Sequence, residues 1–402
     1  MAKKHGPDRF TGRTTGLIHH PYKPPAGFEA AQPGVHKAST VIFASTAALR
    51  ARDWKQKTGY TYGLHGTPTS FTLEERIATL EGGVHSLLVP SGLAAIALVD
   101  ASLLEAGDEV LMPSNAYGPG KELVRQEFAA WGVTHQFYDA LQPRSLAEML
   151  TPATKLVWLE APGSITMEFP DLRALVGMAR EAGAVVALDN TWGAGIAFNP
   201  FELGEDLGVD ISIQALTKYP SGGGDVMMGA VTTRDEDLHL RLKMTHMRFG
   251  LGVGANDVEQ VLRSLPSLEL RYEAQDSAAR RVAQWFTGRP EIARGGVLHP
   301  ALPNTVSHTQ WKKLCRRAAG LFSVAFDKRY GARQVDAFVD ALRLFRIGYS
   351  WAGPVSLAVP YENVAIRNIA GGHGPLVRFS IGLENVADLI ADLEQAMSVL
   401  KG

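Results

Sequence analysis

The sequence predicts an α/β protein in which helices cover both faces of a mostly parallel sheet, followed by a smaller α+β domain. Between residues 67 and 264, helical patterns alternate with short runs that are apolar throughout. Strands of that composition are buried on both faces, as in parallel sheets. A long helical pattern begins at residue 256 and crosses residue 264, and shorter strands and two further helices follow it. We therefore predict an α/β domain over residues 67–264 and an α+β domain over residues 265–402.

The elements of the α/β domain follow one another in a regular order. Most strand-length apolar runs are followed by a helical pattern, and the others by irregular segments. In chain order the runs are SLLVPSG, DEVLMPS, KLVWLEAPGS, AVVALDNTW, DISIQALTK and DVMMGAVTT. Pro266 then interrupts a long helical pattern and is expected to kink it. The second domain adds the runs LFSVAFD, VSLAVPY and LVRFSIGLE.

Residues 1–66 form a predicted N-terminal arm. They are rich in Pro, Gly, His and Lys and show weak periodicity. Because a segment of this kind cannot bury itself, we expect it to pack on a neighbouring domain or subunit.

Composition and charge narrow the class of partner. The chain has 402 residues, of which 46% are hydrophobic and 20% charged, as in globular proteins of more than one domain. With 40 basic and 41 acidic residues, no net charge attracts nucleic acid or an anionic membrane. The strongest apolar stretch is interrupted by Asp100 and is too short to cross a bilayer. We expect a small-molecule or protein partner.

The start of the chain and its single cysteine bear on location and metal binding. The start, MAKKHGPDRFTG, is positively charged but is not followed by the apolar segment of a secretory signal. Since Cys315 is the only cysteine, an intrachain disulfide and a thiolate metal cluster are excluded. We expect a cytoplasmic protein without a bound metal.

The first strand end that suggests chemistry is VPSGLAAI. Ligands of open α/β sheets bind beyond the carboxyl ends of the strands. Here the N–H groups of Gly92 and Leu93 begin a helix and have no intrahelical partner, so they suit a phosphate. The alternative is an ordinary turn in which Ser91 is the N-cap, and this motif alone does not decide between the two.

Three further strand ends carry an aromatic, an acid and an amine. Tyr117 lies in the glycine-rich loop AYGPG and could cover a flat heterocycle, or simply be partly buried in the loop. Asp189 follows an apolar strand, where a carboxylate needs a cation, although a turn role is open. Lys218 ends DISIQALTK just before PSGGG, whereas most lysines are solvated surface residues.

Together these residue types meet one chemical requirement. An enzyme that depends on pyridoxal 5′-phosphate (PLP) needs an amine for the aldehyde, a carboxylate for the ring nitrogen, an aromatic on the ring and donors for the phosphate. The combination is more specific than any of its parts. We therefore predict a PLP site formed by Lys218, Asp189, Tyr117 and the N–H groups of Gly92 and Leu93.

From residue 33 to the C-terminus, the sequence resembles the Cys/Met metabolism family of PLP-dependent enzymes. The blocks that carry the resemblance are YGLHGTPTSFTLEERIATLEGG, VPSGLAAI, AYGPG, LDNTWGAGIAF, DISIQALTKYPSGGGDVMMGAV, LRSLPSLELR, HPALPN, GLFSVAF, YSWAGPVSL and VRFSIGLE. It implies the PLP-dependent transferase-like fold, also called aspartate aminotransferase-like. That fold has a mostly parallel seven-stranded sheet in its large domain and a smaller C-terminal α+β domain.

The resemblance also implies roles for single residues. Lys218 is expected to hold the cofactor aldehyde and to move the α-proton, with Tyr117 and Tyr62 beside it in the catalytic set. Asp189 is expected to pair with the ring nitrogen, and Tyr117 to stack on the ring. The other implied residues are Gly92, Leu93 and Thr217 at the phosphate, Tyr62 at the phosphate of a neighbouring subunit, and Arg378, Ser350, Trp351 and Tyr349 at the substrate. Because Tyr62 acts across subunits, the resemblance implies at least a dimer, and it favours a homotetramer.

The segment YSWAG bears on the reaction. Relatives that eliminate at the γ-carbon typically have Glu-Ser-Leu-Gly-Gly here, whereas the β-eliminating branch has an aromatic and a tryptophan around the serine, as Tyr349 and Trp351 are. This implies α,β-elimination of L-cystathionine to homocysteine, pyruvate and ammonia, with cysteine desulfhydration as a related activity. Tyr349 and Trp351 could instead be core aromatics.

Three other functions stay open. A γ-lyase of the same family would release 2-oxobutyrate, and an aminotransferase of the same fold would need an oxo-acid acceptor. A non-catalytic small-molecule binding protein on this fold would do neither.

The sequence departs from the family at one position of the arm. The family usually has an arginine two residues after the tyrosine that matches Tyr62, whereas this chain has Leu64, followed by His65. A cationic ligand of the neighbouring phosphate is therefore missing. We expect His65 or another residue of the arm to replace part of the lost charge.

Overall fold

Two β-sheets and the helices that cover them make up the fold. The structure is a computed structural model that describes residues 12–19, 31–204, 206–303, 305–362, 364–366, 369 and 372–401. Residues 1–11 and 20–30 of the predicted N-terminal arm lie outside this part of the chain. Among the described residues, no helix is both long enough and apolar enough to cross a membrane.

The strands fall into two groups along the chain. Those of the first sheet are β1 (His85–Val89), β2 (Glu109–Pro113), β3 (Thr134–Tyr138), β4 (Thr154–Glu160), β5 (Val185–Asp189), β6 (Ile211–Gln214) and β7 (Gly229–Thr233). Those of the second sheet are β8 (Ile292–Leu298), β9 (Leu321–Phe326), β10 (Arg346–Ile347), β11 (Leu357–Tyr361) and β12 (Leu376–Ser380).

The helices lie before, between and after these strands. They are α1 (Arg13–Ile18), α2 (Thr46–Arg50), α3 (Pro68–Glu81), α4 (Gly92–Leu103), α5 (Gly118–Leu123), α6 (Pro143–Met149), α7 (Leu172–Glu181), α8 (Glu236–Phe249), α9 (Ala255–Ser264), α10 (Leu268–Phe286), α11 (His308–Leu314), α12 (Ala332–Asp340) and α13 (Val386–Met397). Short 3-10 segments occur at Gly63–His65, Leu265–Ser267 and Ser398–Lys401, and a π turn at Val124–Phe128 extends α5.

The seven-stranded sheet is mostly parallel, as predicted. Its strands lie in the order β1-β7-β6-β5-β4-β2-β3. Strands β2 to β6 run parallel to their neighbours within that group, and β7 runs antiparallel to β1 and β6. Since β4, β5 and β6 are parallel, their carboxyl ends meet at one edge of the sheet.

Helices cover both faces of this sheet. In β4, Val157 and Leu159 face the apolar layer shared with α3 and α7, whereas Leu156 and Trp158 face the layer shared with α4 and α8, because successive strand residues point to opposite faces. The second sheet packs on α10, α12 and α13 in a further apolar layer. Burial of these layers is the main stabilising contribution to the fold.

Pro266 breaks the long helical pattern, as expected. Helix α9 ends at Ser264, and α10 begins after the 3-10 turn that contains the proline. The guanidinium of Arg271 donates to the Ser264 C=O at 3.2 Å and to its Oγ at 2.8 Å, and a third bond reaches the Tyr219 C=O at 2.9 Å. Arg271 therefore stabilises the break and ties it to the residue after Lys218. The domain boundary at residue 264 stays a prediction.

A buried carboxylate joins α3 to the two central strands. Glu81, the last residue of α3, is 1% exposed. It accepts from Nδ2 of Asn190, at 3.1 Å, and also from the side chains of Ser212 and Gln214. Burial raises the pKa of Glu81 to about 7, although these hydrogen bonds and the charge of Arg13 oppose the rise. The network fixes the strands that end near Asp189 and Lys218.

Glu81 is expected to make stability fall as pH rises. Because its pKa in the folded protein lies above the usual value of 4.5, the folded state binds the extra proton between these two values, and the free energy of unfolding decreases with pH. Relative to Glu81→Gln, we expect the wild-type protein to lose up to about 1 kcal/mol per pH unit as the pH approaches 7. Urea denaturation at pH 5 to 8 measures both proteins.

Ser212→Ala is the control for this prediction. It removes a hydrogen bond that lowers the pKa of Glu81, so the pH-dependent loss should extend to higher pH. Parallel pH profiles for the wild-type protein and Glu81→Gln would show that Glu81 does not titrate in this range.

Candidate active site

Two carboxylates lie side by side at the carboxyl edge of the first sheet. Asp189 ends β5 and Glu160 ends β4, and the strand register pairs these two residues. Oδ1 of Asp189 accepts from the Thr191 N–H at 2.9 Å. Burial raises the pKa of both acids, and the charge of Asp189 raises that of Glu160 further. Two buried acids at one edge favour a cationic or proton-donating group beside them.

Lys218 brings an amine to the same edge, four residues after β6. Its Nζ donates to Ser350 Oγ at 2.6 Å and lies 5.2 Å from the centre of the Trp351 ring. Burial first and the charge of Arg378 second lower the pKa of Lys218 from 10.5 to about 8, while Asp189 opposes the shift. The amine is therefore largely neutral above pH 8, and the neutral form is the nucleophile and the base.

The second sheet brings Ser350 to this amine. Ser350 has φ +88°, a left-handed conformation that residues other than glycine rarely adopt. Its C=O lies 3.5 Å from Nη2 of Arg378, and the Ala352 N–H donates to Ser380 Oγ at 3.3 Å. Both partners belong to β12, so this strand holds the loop in its unusual conformation.

Arg378 is a buried cation without an acidic partner among the described residues. It is 9% exposed. Burial lowers the pKa of Arg378, and the groups that oppose this are the phenols of Tyr361, Tyr349 and Tyr117 rather than carboxylates. Because a buried guanidinium is costly without an anion, the structure favours a ligand with a negative charge here. A carboxylate suits the planar fork of an arginine.

The start of α4 offers two backbone donors, as predicted from the sequence. Ser91 Oγ caps the helix by accepting from the Ala94 N–H at 3.0 Å, and the N–H groups of Gly92 and Leu93 precede the first intrahelical bond. A Cβ at Gly92 would lie 2.6 Å from the Cβ of Ala215. Glycine therefore lets the helix begin directly against the segment that leads to Lys218. Ser91 is therefore an ordinary N-cap, and the N–H groups of Gly92 and Leu93 are nevertheless free for a phosphate.

Thr217 is bound to the main chain of Met228 in this structure. Its Oγ1 donates to the Met228 C=O at 3.0 Å and accepts from the Met228 N–H at 3.1 Å. Since a hydroxyl has one proton, donation to a phosphate requires loss of the first bond and is compatible with the second. The role of Thr217 at the phosphate stays a prediction.

Tyr117 is the N-cap residue of α5, beside the acidic edge. Its N–H donates to Glu160 Oε2 at 2.7 Å. Burial and the charges of Asp189 and Glu160 raise the pKa of the Tyr117 phenol. Since Glu160 is paired with Asp189 in the sheet, the hydrogen bond to Glu160 places Tyr117 at the edge where a flat heterocycle bound to Asp189 would lie.

Tyr62 lies on the arm, where its contacts are with other residues of the arm. Ser39 Oγ donates to its hydroxyl at 3.4 Å, and an isolated bridge pairs it with Thr40. The side chain is 44% exposed. Within the described part of the chain, no hydrogen bond or ring contact joins Tyr62 to Lys218.

Leu64 and His65 contact different parts of the chain. Leu64 packs on Gly252 and lines a cavity of about 530 Å³ between the arm and the start of α9. The ring of His65 lies 5.1 Å from that of Trp54, and its Nδ1 is 2.9 Å from Thr61 Oγ1. Burial lowers the pKa of His65. Replacement of the missing arginine charge by His65 stays a prediction, and a neutral ring does not favour it.

Tyr349 and Trp351 differ in their surroundings. Tyr349 is 81% exposed, so it is not a core aromatic. Trp351 is half-buried, packs edge-on against Tyr219 at 5.7 Å and also faces the amine of Lys218. Trp351 is therefore both a packing aromatic, through Tyr219, and a residue of the site, through Lys218.

Sequence reasoning missed two residues of this site. Glu160 ends an apolar strand, KLVWLE, in the same way as Asp189, so the signal that identified Asp189 could have found it. Tyr361 packs against the guanidinium of Arg378, with 5.6 Å from Cζ to the ring centre. No local pattern announces it, because the contact depends on the pairing of β11 with β12.

The site fits PLP. Asp189 is a buried acid suited to a protonated ring nitrogen, and Lys218 is an amine of lowered pKa. The glycine at position 92 leaves room and donors for a phosphate. The described residues contain no group of three or more His, Cys, Asp or Glu side chains that could hold a metal ion.

Comparison with known proteins decides the family. The family described as "Cys/Met metabolism PLP-dependent enzyme" matches residues 14–398. The chain belongs to this family. The predicted cofactor, PLP, and the predicted fold class are thereby confirmed.

Individual members of the family match over nearly their full lengths. Cystathionine β-lyase of Bordetella avium is 38% identical, with 95% of this chain and 96% of that protein covered. Cystathionine β-lyase MetC of Escherichia coli is 36% identical, with 90% and 91% covered. The crystal structure of metB from Corynebacterium glutamicum superimposes with a TM-score of 0.87 at 28% identity and covers 97% of this chain and 98% of that one.

The lowered pKa of Lys218 predicts how the protein without cofactor takes up PLP. Only the neutral amine attacks the aldehyde, so the rate of covalent attachment should rise with pH and level off above about pH 8. The visible absorbance of the attached cofactor measures this rate, and Lys218→Ala should show none.

Arg378→Gln serves as the matched control. Removal of the arginine charge, which lowers the pKa of Lys218, should move the rise to higher pH. A rate that climbs steadily to pH 10 in the wild-type protein would show that the amine keeps its ordinary pKa.

Proposed function

We propose that the protein is a carbon–sulfur lyase that catalyses α,β-elimination of L-cystathionine to homocysteine, pyruvate and ammonia. The observation that supports this most strongly is the position of the Lys218 amine, which binds Ser350 and lies near Asp189 and the unpartnered Arg378. The cystathionine β-lyases among its relatives support the choice of substrate.

Arg378 binds the α-carboxylate of the substrate in the proposed reaction. Two N–H groups of its fork match the two carboxylate oxygens. The Ser350 C=O at 3.5 Å limits the movement of the guanidinium. With its carboxylate bound by Arg378, the substrate presents its α-carbon to the amine of Lys218.

Lys218 is the base that removes the α-proton. When bound, PLP takes up the negative charge that develops at the α-carbon. Loss of the proton to Nζ is followed by cleavage of the bond between the β-carbon and sulfur, and the electron pair leaves with homocysteine as its thiolate. Water then converts the remaining three-carbon fragment to pyruvate and ammonia, so the overall reaction consumes one water.

Ser350 orients this base, and Asp189 acts on its charge. Ser350 Oγ, 2.6 Å from Nζ, holds the amine in one direction while it is free of other partners. Asp189 keeps the ring nitrogen protonated, and its buried carboxylate is stabilised by that proton. The hydrogen bond from Ser350 and the charge of Asp189 thus both offset part of the desolvation of the Lys218 amine.

Elimination at the β-carbon is favoured by the aromatic side chains around Ser350. Trp351 faces Nζ of Lys218 at 5.2 Å, and Tyr349 interacts electrostatically with Arg378. These apolar rings leave no additional acid beside Ser350, in contrast to the glutamate that γ-eliminating relatives typically carry here. An apolar wall suits the thioether of L-cystathionine.

Identification of the oxo acid tests the proposed reaction. Incubation of the holoenzyme with L-cystathionine should release pyruvate and homocysteine, each identified by chromatography and mass spectrometry, which separate them from 2-oxobutyrate and cysteine. Lys218→Ala should release neither. Formation of 2-oxobutyrate alone would indicate a γ-lyase, and product formation only after addition of an oxo acid would indicate an aminotransferase.

We further propose that a partner subunit completes the site, in a homodimer at least and in a homotetramer by analogy with the family. The arm exposes large apolar side chains to solvent in the single chain, and Ile42 is 87% exposed. Tyr62 lies on this arm without contact to its own Lys218. An exposed apolar arm that carries a site residue is expected to pack on a second copy.

Hybrid dimers test whether Tyr62 acts on the partner. Tyr62→Ala and Lys218→Ala subunits, each of low activity alone, are mixed after mild denaturation and refolded together. Half of the dimers are then hybrids with one intact site of two, so about a quarter of the wild-type activity should return. The matched control mixes Asp189→Ala with Lys218→Ala, which act in the same subunit and should not recover. Absence of recovery in both mixtures would place Tyr62 in its own subunit's site.

A cytoplasmic location is part of the proposal. The single cysteine, Cys315, is buried and free, as is usual in reducing compartments. The substrate and products proposed here are small water-soluble amino acids and acids.

A further inference from the structure

The guanidinium of Arg378 is held by an aromatic ring instead of an acid. Its Cζ lies 5.6 Å from the centre of the Tyr361 ring, and its single recorded polar contact within the described residues is the distant Ser350 C=O. A ring face attracts a cation without neutralising its charge. Arg378 therefore keeps its full charge and its N–H donors for a ligand.

The sheet register places Tyr361 beside Arg378. In the antiparallel pair of β11 and β12, Tyr361 lies opposite Leu376 and Val359 lies opposite Arg378. Tyr361 and Arg378 are thus diagonal neighbours on one face of the sheet, within reach of long and aromatic side chains. This is the face that points toward Lys218, because Ser380 of the same face binds the loop after Ser350.

The electrostatics of Tyr361 agree with this placement. Burial raises the pKa of its phenol, the charge of Arg378 lowers it, and Tyr349 raises it further. Tyr361 therefore keeps its proton, and its ring remains an uncharged surface for the cation. Tyr349 also interacts with Arg378, but it is 81% exposed and cannot restrain the guanidinium to the same extent.

We propose that Tyr361 is a positioning residue for recognition of the substrate carboxylate. Its ring face restricts the rotamers of Arg378 and keeps the plane of the guanidinium fixed, so that a carboxylate meets two aligned donors without first ordering a long side chain. This inference rests on the proposed function, in which Arg378 binds an α-carboxylate. The phenolic hydroxyl is not required for this role.

Substitutions at Tyr361 in the holoenzyme separate the ring face from the hydroxyl. Tyr361→Leu should raise KM for L-cystathionine about five- to twentyfold, with kcat within about twofold of the wild type. Tyr361→Phe should stay within about threefold of the wild-type KM, since a phenyl face also attracts a cation. The dissociation constant of an amino acid that the holoenzyme does not convert, measured by calorimetry, should change in parallel with KM. The dissociation constant of the same compound without its carboxylate group should not change.

A double-mutant cycle distinguishes positioning from a general structural effect. In Arg378→Ala, whose KM is already raised, the added Tyr361→Leu change should have no further effect on KM, because the two residues act through one contact. Tyr330→Leu is the matched control: it removes a similar contact with Arg329, 5.2 Å from that ring, and should leave KM unchanged.

The outcomes separate this inference from the proposed function. Failure of the wild-type holoenzyme to bind any amino acid would overturn both. Normal amino-acid binding by the wild type together with an unchanged KM in Tyr361→Leu would overturn only the role of Tyr361. The same holds if Tyr361→Leu raises KM by equal factors in the protein with Arg378 and in Arg378→Ala. If Tyr361→Leu does not fold, Tyr361→Trp and Tyr361→Gln decide instead: KM should stay at or below the wild-type value with tryptophan, whose face attracts a cation most strongly, and should rise with glutamine, and any other result contradicts the inference.

Discussion

The buried carboxylate of Glu81 is the interaction on which the arrangement of the site depends. It binds side chains from both central strands, Ser212 and Gln214 in β6 and Asn190 directly after β5. Beyond this network, the segments after β5 and β6 are joined by few bonds, among them the Asn190 N–H to the Ile213 C=O at 2.9 Å and the Ala215 N–H to Thr191 Oγ1 at 2.9 Å. The positions of Asp189 and Lys218 relative to each other therefore follow from a polar network beneath the sheet, in a layer that is otherwise apolar.

The site also concentrates buried charged groups that form no ion pair within the described residues. The amine of Lys218 binds a hydroxyl, Arg378 lies on an aromatic ring, and Asp189 binds a backbone N–H. Such groups are destabilising in the free protein. The cost is offset where a ligand supplies the missing charges, and this is the physical reason that the arrangement suits a charged cofactor and an amino-acid substrate. At these positions, the groups that bind the ligand lower the stability of the free protein.

Much of the site could be predicted from the sequence, because each of its main residues ends a regular element. Asp189 and Lys218 follow apolar strands, and Gly92 begins a helix after one. Parallel strands carry such ends to one edge, so their proximity follows from the fold class alone. The same rule applies to Glu160, which sequence reasoning overlooked. The departure at Leu64 was also visible in the sequence, although its packing on Gly252 was not.

The sequence by itself determined the fold class and the cofactor, and it indicated Asp189 and Lys218 at the sheet edge, because apolar periodicity and strand ends are local properties. Only the tertiary structure decided that Lys218 binds Ser350, 132 residues away in the chain, that Thr217 is bound to Met228, and that Tyr361 holds Arg378. The contacts of Lys218 and Arg378 depend on how the second sheet packs against the first and on the register of β11 and β12, whereas the contact of Thr217 joins the segment after β6 to the residue before β7. Register and packing are set by the burial of whole faces, and no short stretch of sequence contains that information.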